Sequence, residues 1–268
     1  MTHRILAVAA AVAAPLVAAA CTVTSYLDPA RPFFETRYGV PRDSEPGLRV
    51  VTFNIKEGRR IAEATSALAA HRELRHADIV VLQEMNADAV EAVARALRMN
   101  SAYFPATREP GGPDWGNAVL SPWPIEDARK VVLPHLGRIR RRARTATSVL
   151  VRHRSGAVRV YSTHLGSPWD TGEASRRDQA RKILDDAEAS AAPVIVAGDF
   201  NSEKLGRLFE SRGYCWPTRG VGPTVHGYSV DHVFVRGLCT VERARAGAVR
   251  DLADVSDHRP VWAVLGAS

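Results

Sequence analysis

The sequence predicts an α/β fold, on three observations. Val194–Ala197 and Ile79–Leu82 are unbroken apolar runs of strand length, the pattern of strands covered on both faces. Between such runs lie segments with apolar residues at helical spacing, such as Val90, Val93 and Leu97. The strand runs end in polar residues, as in Gly198-Asp199-Phe200-Asn201. Polar groups at the ends of buried strands are held rigidly, at the sheet edge where α/β proteins keep their chemistry.

At 268 residues the chain can bury a full core. A composition of 46% apolar and 24% charged residues is ordinarily globular and argues against extensive disorder. The formal charge of +7 favours an anionic partner over a cationic one, although Arg-rich composition alone gives the same figure.

The first residues read as an export signal. Thr2-His3-Arg4 supplies a positive start, and Ile5–Ala20 is a 16-residue run of apolar residues and one Pro. That is short of the roughly 20 residues of a spanning helix but suits a secretory signal. Small residues before Cys21 resemble a bacterial lipoprotein processing site, with Ala18 where Leu is usual. The expectation is a signal over 1–20, a lipid anchor at Cys21, and a place in the cell envelope on the outer face of the membrane. Cys215 and Cys239 then remain as a pair for an oxidising compartment, as a disulfide or as two buried thiols.

Residues 21–47 show no period of 2 or 3.6 and carry Pro29, Pro32, Pro41 and Pro46, the composition of a tether with local packing through Phe33, Phe34 and Tyr38. One globular domain is expected over 48–268. Leu48–Ile55 is a strand ending in Asn54, and Ile61, Ala64, Thr65 and Leu68 mark a helix. Ile79–Leu82 leads to Gln83-Glu84, and Gly116–Ser121 is a short strand carrying Asn117. Thr145–Arg152 and Ala157–His164 form a hairpin about Ser155-Gly156. Ala180, Ile183, Leu184 and Ala187 make a helix before the strand that ends in Asp199. Val230–Val235 and Arg259–Leu265 are the last strands, opening on Asp231-His232 and following Asp257-His258.

Asn54, Glu84, His164, Asp199, Asn201, Asp231, Asp257 and His258 thus all stand at strand ends, which argues for one convergent site. Oxygen donors of this kind suit a hard cation, Mg²⁺ first, with Mn²⁺ or Ca²⁺ as alternatives. Zinc is disfavoured, since no Cys pair or His-x-x-x-His spacing occurs. Neither a Gly-x-Ser-x-Gly elbow nor a Gly-x-x-x-x-Gly-Lys loop is present.

Phe53-Asn54-Ile55, Gln83-Glu84, Gly116-Asn117, Ser162-Thr163-His164-Leu165, Gly198-Asp199-Phe200-Asn201, Val230-Asp231-His232 and Ser256-Asp257-His258-Arg259-Pro260-Val261 resemble the successive motifs of the endonuclease/exonuclease/phosphatase superfamily. The resemblance covers about residues 48–268. It implies a four-layer α/β sandwich of two mixed sheets with helices outside, and metal-dependent hydrolysis of phosphoric esters. By resemblance Glu84, Asn54 and Asp257 belong to the metal site, with Asn54 orienting Glu84. His258 would be the general base held by Asp231, with a pKa near neutrality. Asp199 and Asn201 would orient the water and the phosphoryl group, and His164 would serve a phosphate oxygen or the leaving group. Asn117 is a substrate-site candidate. His226 and His232 match no motif role and read as structural.

Arg138, Arg140, Arg141, Arg142 and Arg144 place five guanidinium groups in seven positions. The cluster reads either as a phosphate grip, with Arg144 the nearest contact, or as a solvated basic loop. Trp115 and Trp169 are the candidates for stacking on bases. The expected function is an exported nuclease-type phosphodiesterase acting as a monomer. A sphingomyelin or phosphoinositide phosphodiesterase or phosphatase is the alternative, and a binding module without chemistry the third.

Overall fold

The structure is a computed structural model describing residues 23–41, 47–238, 245–252 and 254–266. The expected signal, Cys21 and Cys239 lie outside the described residues. The first strands are β1 (Thr24–Ser25), β2 (Phe34–Arg37), β3 (Leu48–Asn54), β4 (Ile79–Met85), β5 (Asn100–Arg108), β6 (Asp114–Ser121) and β7 (Ile125–Val132). They are followed by β8 (Thr145–His153), β9 (Gly156–His164), β10 (Val194–Asp199), β11 (Asp231–Arg236), β12 (Arg245–Ala248) and β13 (Val261–Leu265). The α-helices are α1 (Ile61–Ala70), α2 (Ala87–Leu97), α3 (Glu173–Glu188) and α4 (Gly206–Ser211).

Two mixed sheets result. One runs β1-β5-β6-β4-β3-β13-β12, with β2 also on β5, and the other runs β11-β10-β9-β8-β7. Val50, Ile79, Val81, Val119, Val149, Val160, Ile195 and Val233 fill the space between them. Alternate residues face the other way, as period-2 strands require. Val51, Val80 and Leu82 pack with Val90 and Val93 of α2, while Val194 and Val196 pack with Ile183 and Leu184 of α3. The order of layers is therefore helices, sheet, sheet, helices, as the resemblance implies.

The expected tether over 21–47 differs from what is built. β1 and β2 pair antiparallel with β5, so Thr24–Ser25 and Phe34–Arg37 extend the first sheet. Tyr26 donates a hydrogen bond to Asp114 Oδ1 at 2.8 Å, and Lys130 Nζ donates to the Arg31 carbonyl at 2.6 Å. The Pro residues hide the pattern, because two- and four-residue strands are too short for a period to register. Cys215 is disulfide-bonded.

Candidate functional site

β9, β10 and β11 place three site residues in one row. Asp199 is the register partner of His164 on parallel β9 and of Asp231 on antiparallel β11. The row exists because Gly198 lets the strands close in. Its φ is +151°, and a Cβ there would lie 1.9 Å from the Thr163 carbonyl oxygen. Asn201, in the left-handed region at φ +51°, turns back so that its N–H donates to Asp199 Oδ1 at 2.9 Å. Its Nδ2 donates to the Leu165 carbonyl at 3.1 Å, tying the loop after β9 to the loop after β10.

The other sheet supplies the facing half. β4 carries one extra residue between Leu82 and Met85 relative to β6, a bulge, and Glu84 sits in it at φ +59°. A bulge re-aims a side chain, here bringing Glu84 to Asn54. Asn54 Nδ2 donates to Glu84 Oε1 at 3.2 Å and to Asp199 Oδ2 at 3.1 Å, bridging the two sheets. Its Oδ1 accepts the Lys56 N–H, and the Glu57 N–H donates to Glu84 Oε2 at 3.0 Å. Ser256 pins the last motif: its hydroxyl donates to the Asn54 carbonyl at 2.8 Å and accepts the His258 N–H at 3.2 Å.

His258 Nδ1 is 2.9 Å from Asp231 Oδ2, and its Nε2 is 3.7 Å from Asp199 Oδ2. Burial opposes charge on this imidazole, but Asp231, Asp199 and Asp257 outweigh it and raise the pKa to about 10. The near-neutral value expected for His258 is thus corrected. It stands among more carboxylates than one strand's sequence reveals. Burial lifts Asp199 to about 7, against the pull of His258. His164, buried and facing Arg144 and His258, is pushed well below its ordinary value and is neutral. Its Nε2 lies 3.2 Å from Asp199 Oδ2 and its Nδ1 3.8 Å from Glu84 Oε1.

Arg144 is buried, with Nη1 free of any hydrogen-bond partner. Burial lowers its pKa to about 10, while Glu84 and Asp199 support the charge, so it stays cationic at neutrality. Its guanidinium lies 4.7 Å from the Trp115 ring, which also packs on His164 at 5.0 Å and near Arg142 at 5.6 Å. Trp115, with only 9% exposure, offers no face to a base, and the stacking role expected of it is corrected. Asn117 Nδ2 donates to the Thr145 carbonyl at 2.8 Å while its Oδ1 is buried without a partner. Its amide therefore joins β6 to β8 beside Arg144.

Three neighbours of the site have no role assigned by the motifs. Lys56 Nζ lies 3.1 Å from Asp257 Oδ2, and burial of Asp257 is outweighed by Lys56 and His258, which lower its pKa. Ser256 serves through its hydroxyl geometry, which sequence does not encode. His226, expected to be structural, stands 3.9 Å from Asp257 Oδ2 with an exposed ring. His232 is buried beside Trp216, at 5.0 Å, and Phe234, at 5.7 Å, a place within the core.

The donor set fits a hard divalent ion. Glu84 and Asp257 are partly exposed carboxylates at the mouth, and Asp257 already gathers a cation in Lys56. Asn54 turns its NH₂ to Glu84, so it orients that ligand with its oxygen already engaged by the Lys56 N–H. Ligand atoms of Asp199, Asp231 and His258 also lie within 4.8 Å of one another. Two of these three are already bonded to each other at 2.9 Å, the arrangement of a proton-handling pair.

The profile of the Endonuclease/Exonuclease/phosphatase family matches residues 51–258. No curated protein matches the chain in sequence. Among solved structures, an endonuclease/exonuclease/phosphatase from Beutenbergia cavernae is 22% identical with TM-score 0.63, over 84% of this chain and 72% of that one. Sphingomyelinase C from Streptomyces griseocarneus is 20% identical with TM-score 0.58, over 82% and 99%. The human Nocturnin catalytic domain, with bound sulfate, is 18% identical with TM-score 0.64, over 91% and 100%. At these identities the likeness is one of fold.

Proposed function

Since the chain belongs to the endonuclease/exonuclease/phosphatase family, whose members are metal-dependent phosphoester hydrolases, we propose that it is a Mg²⁺-dependent phosphodiesterase. The observation that carries this is the buried, unpaired Nη1 of Arg144 beside Glu84, Asp199 and His164. A buried guanidinium with an unpaired N–H calls for an acceptor, and the two non-bridging oxygens of a phosphodiester share one negative charge that its planar fork can grip. Glu84 and Asp257 would hold the metal, with Asn54 steering Glu84. The metal, when bound, neutralises charge on the phosphoryl oxygens and polarises the phosphorus for attack.

The chain's own groups handle the proton. Asp231 accepts from His258 Nδ1 and holds the imidazolium with its Nε2–H toward Asp199. His258 and Asp199 act as one pair, and with His258 already protonated at neutrality Asp199 supplies the free site that takes the proton of the attacking water. Asn201 holds Asp199 in place, and neutral His164 keeps a second imidazole against it without adding charge. Asn117 and Arg144 line the phosphoryl side.

This site reads the phosphodiester and not the alcohol it carries, so DNA, first in order from the sequence, and phospholipids present the same group. Turnover should require Mg²⁺ or Mn²⁺ and vanish in chelator when assayed on plasmid DNA, sphingomyelin and phosphoinositides. Full turnover on any of them in excess chelator would remove the metal from the mechanism.

Export, an anchor on Cys21 and a monomeric state belong to the same proposal. The apolar run Ile5–Ala20 before Cys21 supports export, as does disulfide-bonded Cys215, a state favoured in oxidising compartments. Intact mass of the mature protein should show a diacylated Cys21. A free thiol there would rule the anchor out.

A further inference from the structure

We propose that the lip of the active site is a docking surface for anionic phospholipid, so that the phosphodiester this enzyme cleaves is borne on a lipid surface. Trp169 is 88% exposed and Ile139 is 73% exposed, the two most exposed large apolar side chains among the described residues. A single exposed apolar residue needs no explanation. These two stand together on separate loops that are stitched side by side. Asp170, next to Trp169, takes the Ile139 N–H on Oδ1 at 2.6 Å and the Arg138 N–H on its carbonyl at 3.0 Å.

The platform is braced from below. Buried Gln179 of α3 accepts the Gly166 N–H and donates to the Pro134 carbonyl, while Arg176 Nη1 donates to the Thr171 carbonyl at 2.6 Å. Both loops are therefore presented as one preformed surface. One loop leads into Arg144, and the other leaves from His164, so both loops are continuous with the site.

Its charge selects the partner. Arg138, Arg140 and Arg141, which flank Ile139 in the chain, are all exposed, and none of them has an ion pair among the described residues. Asp170, the acidic group beside them, is turned to the backbone of the opposite loop. A cationic ring about an apolar tip matches an anionic bilayer, with Trp at headgroup level, Ile in the acyl boundary and Arg on the phosphates. Single-stranded nucleic acid would use Trp169 and the guanidinium groups but has no use for an exposed Ile. No helix among the described residues is long and apolar enough to cross a membrane, so contact through this surface is interfacial.

The substrate side of the inference rests on the phosphodiesterase reading, whereas docking does not. Binding is measured in chelator, with the full chain, by co-sedimentation with phosphatidylcholine vesicles with or without phosphatidylglycerol. Wild type and variants all carry Cys21→Ser, so no acyl chain is attached and the remaining amino terminus contributes equally to each. Replacing Arg138, Arg140 and Arg141 with Ala should lower partitioning onto anionic vesicles by about 100-fold, from roughly fivefold per Arg at such a surface. Trp169→Ala with Ile139→Ser should lower it by about tenfold. Unaltered unfolding midpoints would show that these surface variants are folded. Unchanged vesicle binding in both variants overturns the inference. Lost binding to a single-stranded oligonucleotide, with vesicle binding retained, assigns the surface to nucleic acid instead. With Mg²⁺ added, wild type should cleave a vesicle-borne phosphodiester lipid faster than its short-chain monomeric analogue. Turnover of plasmid DNA but of neither lipid would overturn the lipid substrate, while turnover of none of the three would remove the phosphodiesterase reading and leave the docking result standing.

Discussion

His258 shows how one side chain's role depends on neighbours far off in the chain. It meets Asp231 from β11 at 2.9 Å and Asp199 from β10 at 3.7 Å. Its raised pKa means that it holds a proton at neutrality, and the group that titrates near pH 7 is Asp199. The pair therefore loses its capacity to accept a proton as pH falls through about 7, and kcat/KM should decline on that acid limb. His258→Ala should lower the chemical step by about 10²–10⁴, and Asp231→Asn should lower it without emptying the metal site. Asp199→Asn should remove the acid limb. A limb that survives in both His258→Ala and Asp199→Asn would place the titrating group elsewhere.

Among the elements, β10 organises the rest because it is buried on both faces and touches both halves of the site. Its Gly198 has no room for a side chain, with the Thr163 carbonyl oxygen 1.9 Å from a Cβ and φ at +151°. The obstacle is the backbone of β9, which cannot swing aside. Gly198→Ala should destabilise the fold by about 3 kcal/mol or more and part His164 from Asp199. Urea unfolding measures the first effect, and a midpoint equal to wild type would show that β9 yields. The bulge in β4 acts at the same scale, since a regular strand would alternate Glu84 away from Asn54.

On the scale of the whole molecule, the layers that hide apolar strands also hide titratable groups. Burial lowers the pKa of His232 to about 4, against an unfolded value near 6.5. The neutral form is thus favoured by folding, and its contribution is fully present above pH 6.5. It is lost as pH falls from about 6.5 through about 4, because the unfolded chain takes the proton first. The loss amounts to about 3 kcal/mol. His232→Phe, which keeps an aromatic ring beside Trp216 and Phe234, should flatten stability over that range. Denaturant melts at pH 7 and pH 5 that differ equally in wild type and variant would assign the acid sensitivity to other groups.

The long strands and helices, and the gathering of polar residues where those strands end, were legible in the sequence. Apolar runs such as Val194–Ala197 carry their burial in their composition, and polar residues directly after them announce where the strand stops. Short or irregular strands were not legible. β1, β2 and β12 are two to four residues long, and β5 and β7 contain bulges that break a period of 2. Only the tertiary structure decided the charge states of His258 and Asp199, the burial of Trp115 and the free Nη1 of Arg144. Each is a sum over groups from several elements, and Coulomb and desolvation terms depend on distance in space, which sequence separation does not report.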